Sequence, residues 1–273
     1  MIPLTPSLFR VAALALCVAS VAGAATIPLS NDFSSGGLDN TSLFTQPGGG
    51  LLQYSVTTNN SASPAVAYTS SQFTNATNSS FTISTQFRAT SLGANGGANQ
   101  SVGIGIFGVD ASFSGAASTP YLTASYSLTN GTLNITEVDG TNFVASDAPV
   151  VDLNGATAGT YTAGTTFYTL KLNVVSLGSD SYSLSLGVFD AAGTTQFGSS
   201  STVGSYSVAS TTTTTDVNSN GFYGLRARLP QTSGTTTVEF SNFEISAIPE
   251  PSTYSALAGL GVLGLAAFRR RRA

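Results

Sequence analysis

The sequence predicts an all-β protein: an antiparallel two-sheet β-sandwich, flanked by an N-terminal signal helix and a C-terminal transmembrane helix. Three observations predict it. Apolar and polar residues alternate with period two in segment after segment. Gly, Asn and Asp turn signals separate those segments. Outside the two ends, no stretch has a helical apolar period. The expected division is 1–24 as leader, 25–246 as the β-sandwich and 247–273 as a tail.

At the N-terminus, Arg10 precedes the apolar run Val11 to Val21, and Ala22-Gly23-Ala24 follows. A basic start, a short apolar core and small residues make a secretory signal, with Ala22 and Ala24 marking cleavage after Ala24. The run is too short to span a bilayer, and Leu16 before Cys17 is too large for lipoprotein attachment. The Sec translocon and signal peptidase are the expected first partners.

The domain between reads as strands. Phe81, Ile83, Thr85 and Phe87 alternate with polar residues, as do Leu122, Ala124, Tyr126 and Leu128. Asn130-Gly131 is a hairpin turn leading to Leu133 and Ile135, and Asp139-Gly140 is the expected next turn, leading to Phe143. Tyr168, Leu170, Leu172 and Val174 alternate, then Tyr182, Leu184, Leu186 and Val188, with Gly178-Ser179-Asp180 between them. Later strands are Gly221 to Leu229 and the run Val238, Glu239, Phe240, Phe243, Ile245. One-sided alternation implies two sheets packed face to face, each with one apolar surface. Thr211 to Thr215 reads as a connection between strands.

Composition limits the chemistry. Charged residues are 8% of the chain, yet 41% are apolar, enough for a core. Hydroxyls and amides must therefore cover the surface. Residues 25–246 carry four basic side chains, Arg88, Lys171, Arg226 and Arg228, against twelve carboxylates. That acidic balance repels phosphate backbones, so nucleic acid is not an expected partner. The chain has no His, and its single Cys lies in the leader. The common general base, thiol nucleophile and zinc ligands are thus missing from the domain. With no Trp, an indole platform for stacking sugars is missing too.

Four local patterns bear on a site. Gly103 to Gly108 has the spacing G-x-G-x-x-G, but a dinucleotide site needs that turn to open a helix, and a strand continues here; the glycines are expected to ease packing against a neighbouring sheet. Asp216-Val217-Asn218-Ser219-Asn220-Gly221 opens like a calcium loop, with oxygens from Asp216, Asn218 and Asn220; Ala227 stands where the bidentate Glu belongs, which leaves half a ligand set. A structural Ca²⁺ is the only cofactor this suggests. Arg226 and Arg228 lie two apart on one strand face, as expected of a solvated outer surface. No regular T-x-T array exists to match an ice lattice.

At the C-terminus come Pro249-Glu250-Pro251, the apolar stretch Ser255 to Phe268 and then Arg269-Arg270-Arg271-Arg272. The prolines keep the segment extended, the apolar stretch is helix-competent, and the arginines stop transfer on the cytoplasmic side. These features resemble the PEP-CTERM sorting signal of Gram-negative bacteria. The resemblance implies an exosortase that recognises Pro249, Glu250 and Pro251 and cuts nearby, with Arg269 to Arg272 retaining the precursor in the inner membrane. It implies release to the cell surface or matrix, often alongside exopolysaccharide. The same tail is sometimes catalogued as an ice-binding protein C-terminal region, a label that describes the tail alone.

The domain itself resembles the concanavalin A-like (laminin G-like) jelly roll, through FTISTQFR, the pair YTLKLNVV and YSLSLGVFD, and GFYGLRARL before VEFSNFEIS. Glu137-Val138-Asp139 resembles half of the catalytic strand of laminarinase-type glycosidases sharing that fold; the second Glu is missing, and retaining chemistry needs both carboxyls. The expected function is a non-catalytic surface or matrix protein binding exopolysaccharide through loops of the sandwich. A carbohydrate-active enzyme and a structural coat protein are the open alternatives.

Overall fold

The computed structural model describes residues 28–33, 38–39, 43–57, 65–69, 73–74, 80–95, 97–108, 121–138, 149–153, 161–179, 181–207 and 220–248. The leader with Ala22 and Ala24, the motif Pro249 to Pro251, Arg269 to Arg272, Asp216, Asn218, the turn Asp139-Gly140 with Phe143 and the Thr211 to Thr215 connection lie outside them. So do the segments expected to form the two flanking helices. No helix among the described residues is long and apolar enough to cross a membrane.

The described residues form strands β1 (Pro28–Asn31), β2 (Leu38–Asp39), β3 (Thr45–Gly48), β4 (Leu51–Thr57), β5 (Ala65–Thr69), β6 (Phe73–Thr74), β7 (Phe81–Ser91), β8 (Ser101–Gly108), β9 (Tyr121–Ser127), β10 (Leu133–Val138), β11 (Tyr168–Gly178), β12 (Ser181–Phe189), β13 (Gln196–Ser207), β14 (Asn220–Arg228) and β15 (Thr235–Ala247). The first sheet has the order β13-β12-β11-β7-β15-β4-β3, with β1 pairing the far half of β15. The second has the order β10-β9-β8-β14-β5-β2, with β6 on β14. Every pairing between these strands is antiparallel. The expected β-sandwich is present.

Alternation places the core as read. Phe81, Ile83 and Phe87 of β7 and Leu170, Leu172 and Val174 of β11 face Ile104, Tyr126, Leu225 and Tyr223 of the second sheet, all fully or almost fully buried. Aromatic edges lock the layers: Phe81 lies 5.7 Å from Tyr223, and Phe87 5.7 Å from Tyr126, ring centre to ring centre. Burying each Phe contributes about 2–3 kcal/mol by apolar area. The Asn130-Gly131 hairpin forms as a four-residue loop, closed by the Ser127 N–H donating to Thr132 O at 2.8 Å. Gly131 takes the left-handed φ of +68° that the loop requires.

Of the register shifts in the first sheet, two bulges bear on its outer face and its end. On β15, the pairs Ser241↔Gln86 and Phe243↔Thr85 leave Asn242 as an extra residue. Asn242 has φ +64°, and its carbonyl accepts a 2.8 Å bond from Thr85 Oγ1. The bulge lets Phe240 and Phe243 both face the core although they are three apart. On β11, the register shifts between Ser176 and Gly178, which leaves Leu177 as the extra residue.

Candidate functional site

Three rungs of outward side chains cross the first sheet. Register places Ser246, Thr82 and Asn173 in one rung, and Glu244, Ser84 and Lys171 in the next. Ser241, Gln86, Thr169 and Phe189 form the third. Neighbouring strands lie about 4.8 Å apart, so each rung is a row of closely spaced side chains. All of them but Ser241 floor a groove of about 570 Å³, which Asn242 also lines.

One turn walls the groove. Residues 190–195, between β12 and β13, curl over the sheet face. Asp190 holds them: one carboxylate oxygen accepts from the Thr194 N–H at 2.7 Å and the Thr195 N–H at 3.1 Å. These backbone bonds, Thr194 first, lower the Asp190 pKa below its ordinary value. The turn presents carbonyls to the sheet. Gln86 Nε2 donates to Ala191 O at 2.6 Å, and Lys171 Nζ to Gly193 O at 2.8 Å. The Lys171 ammonium also stands 4.6 Å from the centre of the Phe189 ring, so the groove's one aromatic ring is covered by a cation. At the opposite rung, Thr82 Oγ1 donates to Asn173 Oδ1 at 2.9 Å.

The two carboxylates of β15 differ. Glu239 is 7% exposed, accepts from Arg88 Nε at 2.6 Å and from Gln53 Nε2 at 2.8 Å. Arg88 in turn donates to Thr165 O at 3.0 Å and stacks on Phe167 at 4.3 Å. That cluster ties β4, β7 and β15 to the chain entering β11. Glu244 lines the groove and makes no ion pair or hydrogen bond among the described residues. The groove therefore offers hydroxyls, amides, one committed ammonium and one free carboxylate.

The residues singled out in sequence fall elsewhere. Asn220 heads β14 opposite Thr74, and among the described residues no cluster of acidic or thiol side chains forms a metal site. Gly103 lies in the middle of an antiparallel sheet between β9 and β14, without the βαβ context of a nucleotide turn. A Cβ on it would meet Ala124 O at 2.8 Å. The close neighbour is thus a strand of the same sheet, not the facing sheet as expected. Glu137 is 6% exposed and points between the sheets, beside Leu122, Ile135, Leu184, Val203 and Tyr206, not onto an open face.

Arg226 is less solvated than expected: it is half-buried on the outer face of β14. Its Nε is buried without a hydrogen-bond partner, and its guanidinium lies 6.0 Å from the Tyr121 ring. Burial lowers its pKa from the ordinary arginine value. Arg228 is half-buried. Sequence reasoning singled out none of the groove residues as a site, although most are the complement of the core set: wherever Phe81, Ile83 and Phe87 face in, Thr82, Ser84 and Gln86 face out.

No curated protein matches the sequence. Solved structures of similar shape include lectin I from Ulex europaeus in complex with the methyl glycoside of α-L-fucose, 13% identical, covering 81% of this chain and 97% of that one at TM-score 0.48. Carbohydrate-binding module CBM66 from Bacillus subtilis is 12% identical over 72% of this chain and 86% of its own, at TM-score 0.43. An endo-1,3-β-glucanase from Streptomyces sioyaensis is 10% identical over 76% and 79%, at TM-score 0.46. The C-terminal expectation is met directly: residues 247–272 match the PEP-CTERM protein-sorting motif. The chain thus carries a PEP-CTERM sorting signal, an address for export to the cell surface or the extracellular space.

Proposed function

We propose that the domain is a non-catalytic surface or matrix protein that holds an uncharged polysaccharide along the groove of the first sheet. One observation carries the reading: the open face is lined by hydroxyls and amides set in register, with Glu244 as its one uncommitted charge. A volume of 570 Å³ falls in the range of ligand sites, about 300–1,000 Å³. Sugar hydroxyls both donate and accept, so they pair with Thr, Ser, Asn and Gln and with a carboxylate acceptor. The surplus of eight carboxylates in residues 25–246 disfavours an anionic chain. Binding runs along the sheet face and its Asp190 turn, a narrower site than the loops of the sandwich.

Two points favour binding over hydrolysis. Glu239 is held by Arg88 and Gln53. It also lies five residues before Glu244 on one strand, roughly 15 Å away, against the ~5–9.5 Å of a glycosidase pair. The sorting tail motivates the rest of the reading. The chain is exported by the Sec route of a Gram-negative cell, held in the inner membrane through Ser255 to Phe268 and Arg269 to Arg272, then cut by an exosortase at Pro249-Glu250-Pro251. A concanavalin A-like jelly roll is the proposed fold type. Calcium at Asp216, Asn218 and Asn220 stays a proposal, for which chelation should lower the melting temperature.

The test is affinity electrophoresis of the purified domain in gels holding a neutral β-glucan, a neutral α-glucan, the host's own exopolysaccharide or a polyuronate. Retardation is expected in a neutral gel and not in the polyuronate. Glu244→Ala and Asn173→Ala should each weaken it, about tenfold or more for the charged acceptor. No retardation in any gel, or equal retardation of both variants and the parent, would sink the groove. Release of reducing sugar would favour the enzyme reading.

A further inference from the structure

We infer that one pole of the sandwich, formed by the β11–β12 hairpin and the ends of β15 and β1, is the face the precursor turns to the lipid surface. The inference rests on the reading of the tail as a membrane anchor before processing.

Three independent features converge on that pole. First, β15 ends there. The Ile248 N–H donates to Ser80 O at 2.9 Å, and Pro249 of the sorting motif is the next residue. The fold therefore runs to the edge of the motif with no spacer. Second, β1 starts there, with Pro28 opposite Ser246. Pro28 stands four residues after Ala24, so the expected leader cut and the sorting motif leave from the same end. Third, β11 ends there. The Ser176 N–H donates to Ser80 Oγ at 3.0 Å, so β11 and β15 meet on one residue.

At that meeting point two apolar side chains stand exposed among serines. Val175 is 40% exposed and Leu177 54%. Leu177 is the bulged residue of β11, and Gly178 and Ser179 then turn the hairpin at φ +84° and +51°. The bulge sets Leu177 free of the ladder. Of the other large exposed apolar side chains among the described residues, Leu43 and Val150 stand singly, as is common on soluble surfaces.

Chain length ties the pole to the bilayer. The apolar stretch starts at Ser255, seven residues past Ile248, so even a fully extended link reaches only about 24 Å. Such a tether, leaving from the centre of a sheet, keeps this end close to the headgroups. Val175 and Leu177 then rest on the interface. The groove starts beside them at the Ser246–Thr82–Asn173 rung and runs away from the membrane toward the Asp190 turn, where an extended polysaccharide has access. Removing the tail frees this pole.

The experiment uses residues 25–273, the chain expected after leader cleavage, which hold no Cys, so that one introduced thiol is the only one. Leu177→Cys and Ala163→Cys each take a fluorophore. Ala163 is exposed and adjoins Gly164, whose N–H bonds Ala89 O. Ala89 lies nine residues along β7 from Ser80, about 30 Å up the sandwich. The chains are reconstituted into phosphatidylcholine vesicles carrying nitroxide-labelled headgroups. Loss of most of the Leu177→Cys fluorescence is expected, with none lost at Ala163→Cys. The same labelled chains ending at Ile248 should keep full fluorescence at both positions. Equal quenching of the two sites overturns the orientation while leaving the anchor intact. A chain of residues 25–273 that does not stay with the vesicles overturns the anchor, and the orientation with it.

Discussion

The two outer faces of this sandwich are built by the same alternation and end as opposites. On the first sheet, Thr82, Ser84, Gln86, Lys171 and Asn173 stand half-buried around an open groove. On the second, Ser125, Asn134, Thr136 and Arg228 are half-buried too, but the outward set also holds Val66, Tyr121 and Thr123, only 6%, 1% and 4% exposed, with glycines at 103, 105 and 224 and the buried Nε of Arg226. Period two decides which residues leave the core and not what they meet. Where they carry hydroxyls and amides beside a turn that caps the sheet end, the face holds an open groove. Around Val66, Tyr121 and Gly103 the outward positions are buried, and a Cβ on Gly103 would meet Ala124 O at 2.8 Å, so the face is closed there. Burial there is costly: an unpaired Nε or hydroxyl loses about 1–3 kcal/mol of hydration.

The contrast can be broken at three points. The largest effect belongs to Arg88→Ala. It leaves Glu239, 7% exposed, without its cation, and it unpins the Thr165 carbonyl and the Phe167 ring. A loss of about 3 kcal/mol is expected in urea unfolding, the lower end for breaking a buried pair because Arg88 is partly solvated. A loss below about 1 kcal/mol would mean the cluster behaves as an ordinary surface pair.

Next is a matched pair of substitutions, one on each face. Gly103→Ala puts a Cβ 2.8 Å from Ala124 O and 3.0 Å from Ser125 Cβ, both on the adjacent strand. It should cost about 1–3 kcal/mol as overpacking, while Ser84→Ala in the groove stays within about 0.5 kcal/mol. Equal costs would erase the distinction between an open and a closed face.

The smallest effect is acid loosening of the groove wall. The Asp190 pKa is lower in the folded chain than its ordinary 3.8. Its contribution to the turn is thus complete above that value and fades as pH falls through the lower, folded value. Amide exchange at Thr194 and Thr195, corrected for intrinsic rates, should lose protection at the acid end. Asp190→Asn should show no such pH step, and a step that persists in it would assign the effect elsewhere.

Legibility in the sequence followed burial. Strands with one strongly apolar side, β7, β9, β11, β12, β14 and β15, are plain from alternation because a core tolerates little else. Leu52, Tyr54 and Val56 of β4 carry the same signal and went unread, standing amid Ser- and Thr-rich flanks. The edge strand β13 is harder: Gln196 to Ser207 holds mostly Ser, Thr and Gly, because little of it is buried. The Asn242 bulge left a trace in the three-residue step from Phe240 to Phe243, where strict alternation demands two. Arg226 and Arg228 could not be placed from spacing, which fixes a shared face and leaves its covering undetermined.

By itself the sequence determined the class of fold, the core and the address. Alternation and turn chemistry are local, and the PEP-CTERM motif at 247–272 is read as a linear string. Only the tertiary structure decided which side chains line the groove and which strand ends share a pole. Glu244, Ser84 and Lys171 are distant in the chain and become neighbours only through register between strands. The meeting of Pro28, Ser80, Ser176 and Ile248 at one pole likewise depends on pairings across the whole chain. A period of two tells each side chain which way to face, and the sheet order alone tells it beside whom.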